Sequence, residues 1–286
     1  MKYGGFLPLF GEFADASRVV DIAVEAERAG WDGLFVSDLA EYGDAVPVAD
    51  ACIALAAISS ITKRLRLGLV TPVADRRRPW VLARQSAVLD HLTHGRLIFA
   101  TGLGYASWHE NLALPAGRAA HDEEEDARAS LFDESLAVLL QCWSGRPVRH
   151  EGKWMQVDSA PFLPTPLQTP RVPVWVSAEW PRRTPLRRAA HLDGILPVFA
   201  DQRGSDALPS TADVRDIKDE LRRLGAAPEH DLVLRGSLGP RWAEADLERL
   251  HQLENAGATW WLETVRADES VSAVFDRMAA GPPRRP

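Results

Sequence analysis

Residues 64–104, RLRLGLVTPVADRRRPWVLARQSAVLDHLTHGRLIFATGLG, constrain the fold more than any other stretch of the chain. An apolar run from Leu65 to Val73 ends in a Pro- and Arg-rich turn. A helix begins near Pro79 and is closed by Gly95, and a second apolar run, Leu97 to Thr101, empties into Gly102-Leu103-Gly104. Two strands joined by one helix of this length form a parallel βαβ crossover. Both strands end in loops rich in Gly, Thr and Arg, where α/β folds place their ligands.

The alternation extends along the chain. Tyr3 to Leu9 reads as a first strand, and Asp15 or Ser17 can cap a helix with Val19, Ile22, Ala23 and Ala26 on one face, stopped at Gly30. GLFVSD (33–38) is a short buried strand, followed by a helix over 47–60. Leu131, Phe132, Ser135, Leu136, Leu139, Leu140 and Trp143 mark a fourth helix. Strands follow at 172–177, 194–199, Asp231 to Ser237 and 258–263. Helices are expected at Thr184 to about His191, at Val214 to Leu224, at Leu247 to Ala256 and at 268–280. Eight strands alternating with eight helices fit one (β/α)₈ TIM barrel over residues 1–286, with a frayed tail at 281–286. A doubly wound open sheet is the alternative, but no GxGxxG follows the first strand. Residues 144–170 break the rhythm: Glu151-Gly152-Lys153 reads as a hairpin turn and four prolines follow. This insertion between the fourth helix and the fifth strand is either a lid or a hairpin covering the barrel side.

Composition narrows the function. A chain of 286 residues can bury roughly three quarters of the surface it exposes when unfolded, so disulfide staples are unnecessary. Cys52 and Cys142 both lie in apolar helical stretches and read as reduced core residues of a cytoplasmic protein. No apolar run reaches the ~20 residues of a membrane span, and the N-terminus lacks a signal-peptide pattern. A net charge of −7 argues against a nucleic-acid partner. Positive charge is concentrated at Arg76–Arg78 and at Arg182, Arg183, Arg187 and Arg188, either as solvated surface or as contacts to an anionic ligand. The eight histidines form no HxH or HExxH pattern and no GxSxG elbow is present, so neither a metal site nor a covalent nucleophile is expected.

A cofactor must then supply the reactivity. AERAGWDGLFVSD (26–38), RLRLGLVTPVADRRRPW (64–80), LARQSAVLDHLTHGRLIFATGLG (82–104), LLQCWSG (139–145) and PVWVSAEWPRRTPLRRAAHLDG (173–194), taken together, resemble the luciferase-like flavin-dependent oxidoreductases. The resemblance implies a (β/α)₈ barrel binding FMN or F420 at the C-terminal strand ends, with FMN slightly preferred here, a small organic substrate and a homodimer. It implies either a monooxygenase or hydride-transfer enzyme, or a flavin-binding protein of the same fold with little turnover. Asp38 takes a catalytic role at the rim, or caps its turn through an Asx bond. Leu69, Val70, Thr71, Gly102, Gly104, Ser177, Ala178, Glu179, Trp180 and Thr184 line the cofactor, and Trp108, His109 and Glu110 face the substrate or pack the rim. Thr184 with Pro185 reads as an N-cap and first-turn proline that present a helix N-terminus to the cofactor phosphate, assisted by Arg182 or Arg183. Two departures from the family pattern stand out: Leu39, where several relatives have histidine, and Leu103, where some have a phosphate-binding arginine. The family also implies a non-proline cis peptide at Leu69–Val70, bedded against the cofactor ring.

Overall fold

The computed structural model describes residues 1–43, 45–73, 77–104, 121–199, 209–238 and 242–283, with backbone alone at 121–125. Its strands are β1 (Lys2–Leu7), β2 (Gly33–Ser37), β3 (Arg66–Val70), β4 (Leu97–Thr101), β5 (Val148–Glu151), β6 (Gln156–Ser159), β7 (Val174–Trp180), β8 (Gly194–Phe199), β9 (Asp231–Gly236) and β10 (Trp260–Thr264). Its helices are α1 (Ala16–Arg28), α2 (Ala51–Ile61), α3 (Pro79–Leu92), α4 (His121–Trp143), α5 (Arg183–Ala190), α6 (Thr211–Arg223), α7 (Glu244–Ala256) and α8 (Val271–Ala279). Eight strands close a barrel in the order β1-β10-β9-β8-β7-β4-β3-β2, while β5 and β6 form a separate hairpin. The barrel pairings are all parallel. This is the expected (β/α)₈ architecture, with the insertion in its expected place.

Local chemistry sets the helix ends. The side chains of Asp15, Asp50, Ser210 and Ser270 accept hydrogen bonds from the first-turn N–H groups of α1, α2, α6 and α8. Pro79 occupies the first turn of α3, where its missing N–H has no cost. Gly257 ends α7 at φ 119°, a left-handed conformation that a residue with a Cβ adopts only under strain.

Strand alternation produces two cores. Outward-facing side chains such as Leu67, Leu69, Val174, Val176 and Ala178 pack under the helices. Inward-facing ones, Phe35, Ile98, Ala100, Trp175, Leu196, Val233, Trp260 and Leu262, fill the barrel. Phe35 stacks on Trp175 at 5.1 Å between centroids, and Trp260 stands edge-on to both. The indole N–H groups of Trp175 and Trp260 are buried without partners among the described residues. Burying ~200 Å² per ring is worth about 5 kcal/mol, more than the ~1–3 kcal/mol cost of an unmade hydrogen bond.

This packing explains Gly68 and corrects the expectation for β3. The cis peptides among the described residues are Leu163–Pro164, Thr169–Pro170 and Trp180–Pro181, so Leu69–Val70 is trans. The reason lies in the ladder: Leu69 and Val70 pair in unbroken register with Val36 and Ser37 on one side and Phe99 and Ala100 on the other. Gly68 does not relax the strand for a bulge. A Cβ there would stand 1.8 Å from Cδ1 of Phe35, so its missing side chain is the seat for that ring.

The insertion is a side wall and not a lid. Glu134 of α4 accepts the N–H groups of Trp154 (3.0 Å) and Met155 (2.7 Å), pinning the hairpin to the helix flank. Farther along, Gln168 donates to the buried Asp90 at the end of α3 and to the carbonyl of Leu97 at the start of β4. Those anchors lie at the N-terminal end of the barrel, away from the strand ends that bind ligands.

Gly68→Ala is expected to destabilise the fold by about 1–3 kcal/mol through overpacking, read as a lowered urea midpoint. Adding Phe35→Leu should recover part of that loss. Additive effects of the two changes would refute the seating of Phe35 on Gly68.

Candidate functional site

Because the barrel strands are parallel, their C-terminal ends converge on one mouth. Val70, Gly102, Ser177 and Glu179 continue the inward-facing rows of β3, β4 and β7, two and four residues beyond Gly68, Ala100 and Trp175. Gly102 and Ser177 meet closely, since a Cβ on Gly102 would lie 2.8 Å from that of Ser177. Leu69 and Ala178 face the other way, into the helix-side core. So does Trp180, whose indole N–H donates to Asp213 of α6 at 2.9 Å. Gly104 is exposed in a left-handed turn at φ 69°. Trp108, His109 and Glu110 lie outside the described residues, as does Arg76.

At α5 the expected capping is corrected. β7 runs to Trp180, three residues past the expected end, and α5 then starts at Arg183 with Arg182 at its N-cap position. Thr184 is thus the second helical residue, and exposed, while no side chain caps the first turn. The nearby arginines already have carboxylate neighbours. Arg182 lies 3.8 Å from Glu179 and Arg183 3.2 Å from Glu220, while Arg188 pairs with Asp133.

A polar network surrounds Asp38, which is buried immediately after β2. Its backbone N–H donates to Val70 at 2.8 Å, extending the ladder one step past the strand. Its Oδ2 accepts the Thr71 hydroxyl at 2.7 Å, and Thr71 is itself fixed by donation of its N–H to Ala100. Arg77, in the loop after β3, donates from Nε to Asp38 Oδ2 at 3.3 Å and from Nη2 to Oδ1 at 3.2 Å. The same Nη2 reaches Oδ2 of Asp50 at 2.8 Å, and Nη1 reaches Oε1 of Gln85 at 3.2 Å. Asp50 also caps α2 through the N–H of Ile53. These residues border a cavity of about 410 Å³ lined by Asp38, Leu39, Ala40, Val48, Ala49, Asp50 and Arg77.

Charge balance in this network follows from its geometry. Burial works against the Arg77 guanidinium, but the Asp38 and Asp50 carboxylates outweigh it and raise its pKa. Burial also disfavours ionised Asp50, yet its bonds from Arg77 and Ile53 hold its pKa below the usual carboxylate value. Cys52, the second residue of α2 and free, is pushed up to about 12 by burial, so it is a neutral thiol beside the network. Asp38 accepts hydrogen bonds from the fixed side chains of Thr71 and Arg77, an arrangement suited to positioning a ligand at the rim. Among the described residues no group of three or more His, Cys, Asp or Glu side chains could hold a metal ion.

Sequence reasoning left Arg77 either in solvent or against an anionic ligand, and overlooked Asp50. The signal for Asp50 was present: an aspartate directly before the apolar run ACIAL is a helix N-cap. A capping aspartate at the C-terminal end of the barrel lies within reach of the strand-end loops.

Comparison with known proteins identifies the family. The chain is 30% identical over 299 residues to an F420-dependent glucose-6-phosphate dehydrogenase of Amycolatopsis mediterranei, covering 92% of this chain and 85% of that one. A protein of the same name from Nakamurella multipartita is 32% identical over 174 residues, 59% of this chain and 49% of the relative, so that match spans about half the relative's length. Among solved structures, an F420-dependent secondary alcohol dehydrogenase superposes with a TM-score of 0.78 at 17% identity, over 99% of this chain and 98% of that one. This likeness concerns the fold. The family model described as luciferase-like monooxygenase matches residues 1–237, and the chain therefore belongs to the luciferase-like monooxygenase family.

Proposed function

We propose that the protein is an oxidoreductase that holds F420 or FMN at the barrel mouth and acts on a small organic substrate. The observation that carries this reading is the wall formed by β2, β3, β4 and β7. There Asp38, Thr71 and Arg77 form a fixed polar rim beside the small inward-facing surface of Val70, Gly102 and Ser177. Such a surface fits a flat ring: Gly102 keeps the strand ends low, while the rim provides polar contacts at one edge. Bound there, either cofactor supplies hydride chemistry that the side chains cannot. The relatives' names favour F420 over the slight preference for FMN drawn from sequence. The trans peptide at Leu69–Val70 removes one expected contact, so the ring would rest on the side chain of Val70. The uncapped first turn of α5 remains the favoured phosphate position, through the N–H groups of Arg183 and Thr184.

Titrating the full chain with F420 and with FMN, while following cofactor fluorescence, tests this reading. Saturable binding of one, accelerated reoxidation with a substrate and at least tenfold weaker binding by Gly102→Val are expected. Binding of neither would overturn it.

Asp38 is read as a positioning residue for the ring. Arg77→Leu should cost about 2 kcal/mol of stability by stranding the buried Asp38 carboxylate, and Arg77→Leu with Asp38→Asn should cost less than the sum. Strict additivity in chemical denaturation would argue that the pair is not coupled.

We also propose a homodimer through α2 and α3. Ile53 and Ile61 on α2 and Val81, Val88 and Leu92 on α3 are exposed, and α2 carries no charged side chain at all. Exposed apolar side chains clustered on two adjacent helices are characteristic of a protein interface. Ile53→Glu with Val88→Glu should convert a dimer to a monomer in sedimentation velocity. A wild-type chain that sediments as a monomer at tens of micromolar would refute the dimer.

A further inference from the structure

One buried carboxylate ties the loop after β9 to the barrel. Trp261 packs in the helix-side core, so Glu263, two residues on along β10, also faces the helices, and it is fully buried. Its register neighbours are Gly5 on β1 and Gly236 on β9, which bring no side chain into the space beside it. Oε1 of Glu263 accepts the N–H of Leu238 at 3.0 Å, two residues past the end of β9. Oε2 accepts the indole N–H of Trp261 at 3.1 Å. Two charged groups face this carboxyl. Arg277 of α8, itself buried, places Nη1 3.7 Å from Oε1. The same guanidinium lies closer to Glu269 in the loop after β10, with Nη2 2.8 Å from Oε2. Glu269 is held there by the backbone N–H of Arg266, which donates to its Oε1 at 2.7 Å.

Among the described residues, then, one guanidinium serves two carboxylates, and the shorter contact assigns it to Glu269. When ionised, Glu263 is a surplus negative charge in a place closed to solvent. Such a charge is relieved by taking up a proton, or by an opening that brings water to it. Burial, with Glu269 adding to it, raises the Glu263 pKa to about 7, against the pull of Leu238, Arg277 and Trp261. A hydrated carboxyl returns to its ordinary value near 4.5, so opening costs most below that value and becomes easier as pH rises through about 7. Of the groups around Glu263, Trp261 and Arg277 sit on a barrel strand and a helix, whereas Leu238 sits in a loop and is only partly buried. The loop is therefore the part that gives way. We propose that Glu263 is a proton-operated latch at the barrel mouth: with its proton it keeps the loop after β9 packed, and without it the loop is released. That loop belongs to the C-terminal face of the barrel, so its release alters access to the mouth whichever ligand sits there.

Amide exchange of the full chain between pH 5.5 and 8.5, corrected for intrinsic rates, tests the latch. Protection of the Leu238 amide should fall at least tenfold over that range, relative to Leu234 within β9. Carbon-13 titration of the Glu263 carboxyl should give the same midpoint. Glu263→Gln keeps the shape but cannot ionise, so protection of Leu238 should no longer depend on pH. Glu269→Gln leaves Arg277 to Glu263 alone and should move the midpoint at least one pH unit lower. Circular dichroism confirms that the variants fold, and wild type with Glu269→Gln carries the test if Glu263→Gln does not. Were Glu263 an ordinary ion pair, ionised throughout, Leu238 protection would stay flat in wild type and the carboxyl would titrate near 4, and either result overturns the latch. A pH-dependent loss that persists in Glu263→Gln, or a midpoint unmoved by Glu269→Gln, also overturns it.

Discussion

Phe35, Trp175 and Trp260 occupy the barrel axis at centroid separations of 5.1–5.6 Å, and the eight strands close around them. The rings are too large for the interior unless neighbouring positions carry no side chain. Gly68 and Gly33 give way to Phe35, and Gly194 gives way to Trp175, where a Cβ would meet the indole at 2.4 Å. Large and small residues are thus matched across strands that are far apart in sequence. The same cluster fills the barrel below its mouth, so inward-facing residues above it, Val70, Gly102 and Ser177 among them, form a floor instead of a pore.

Above that floor the mouth is built asymmetrically. One wall carries Asp38, Thr71 and Arg77, whose hydrogen bonds are directed at one another. The other carries Arg235 with its guanidinium over the Phe6 ring. A self-satisfied network holds its geometry before a ligand arrives.

Much of the fold was legible because its signals are local. Helix caps at Asp15, the glycine stops at Gly30 and Gly95, and the strands at 97–101 and 194–199 follow from period and punctuation alone. The site was legible only in part, because facing depends on where a strand ends. β7 continues three residues beyond the expected 172–177, so Ala178 and Trp180 turn to the helices while Ser177 and Glu179 turn to the mouth. The same extension moves the start of α5 and deprives Thr184 of its capping role. The role of Gly68 was not legible, because nothing in its own neighbourhood reveals Phe35 on the adjacent strand. The arginine loop posed the same difficulty: a run of three cations gives no hint that the middle one is claimed by Asp38 and Asp50.

That claim has a kinetic consequence. One guanidinium ties the residue after β2, the loop after β3, the N-cap of α2 and Gln85 in α3. None of these segments can swing outward alone without breaking charge-assisted bonds that the others share. They should open as one cooperative unit, so amide exchange at Asp38 and at Ile53, whose N–H is held by Asp50, would report a common opening free energy. The rate at which anything enters or leaves this side of the mouth would then be set by a single hinge event and not by independent loop motions.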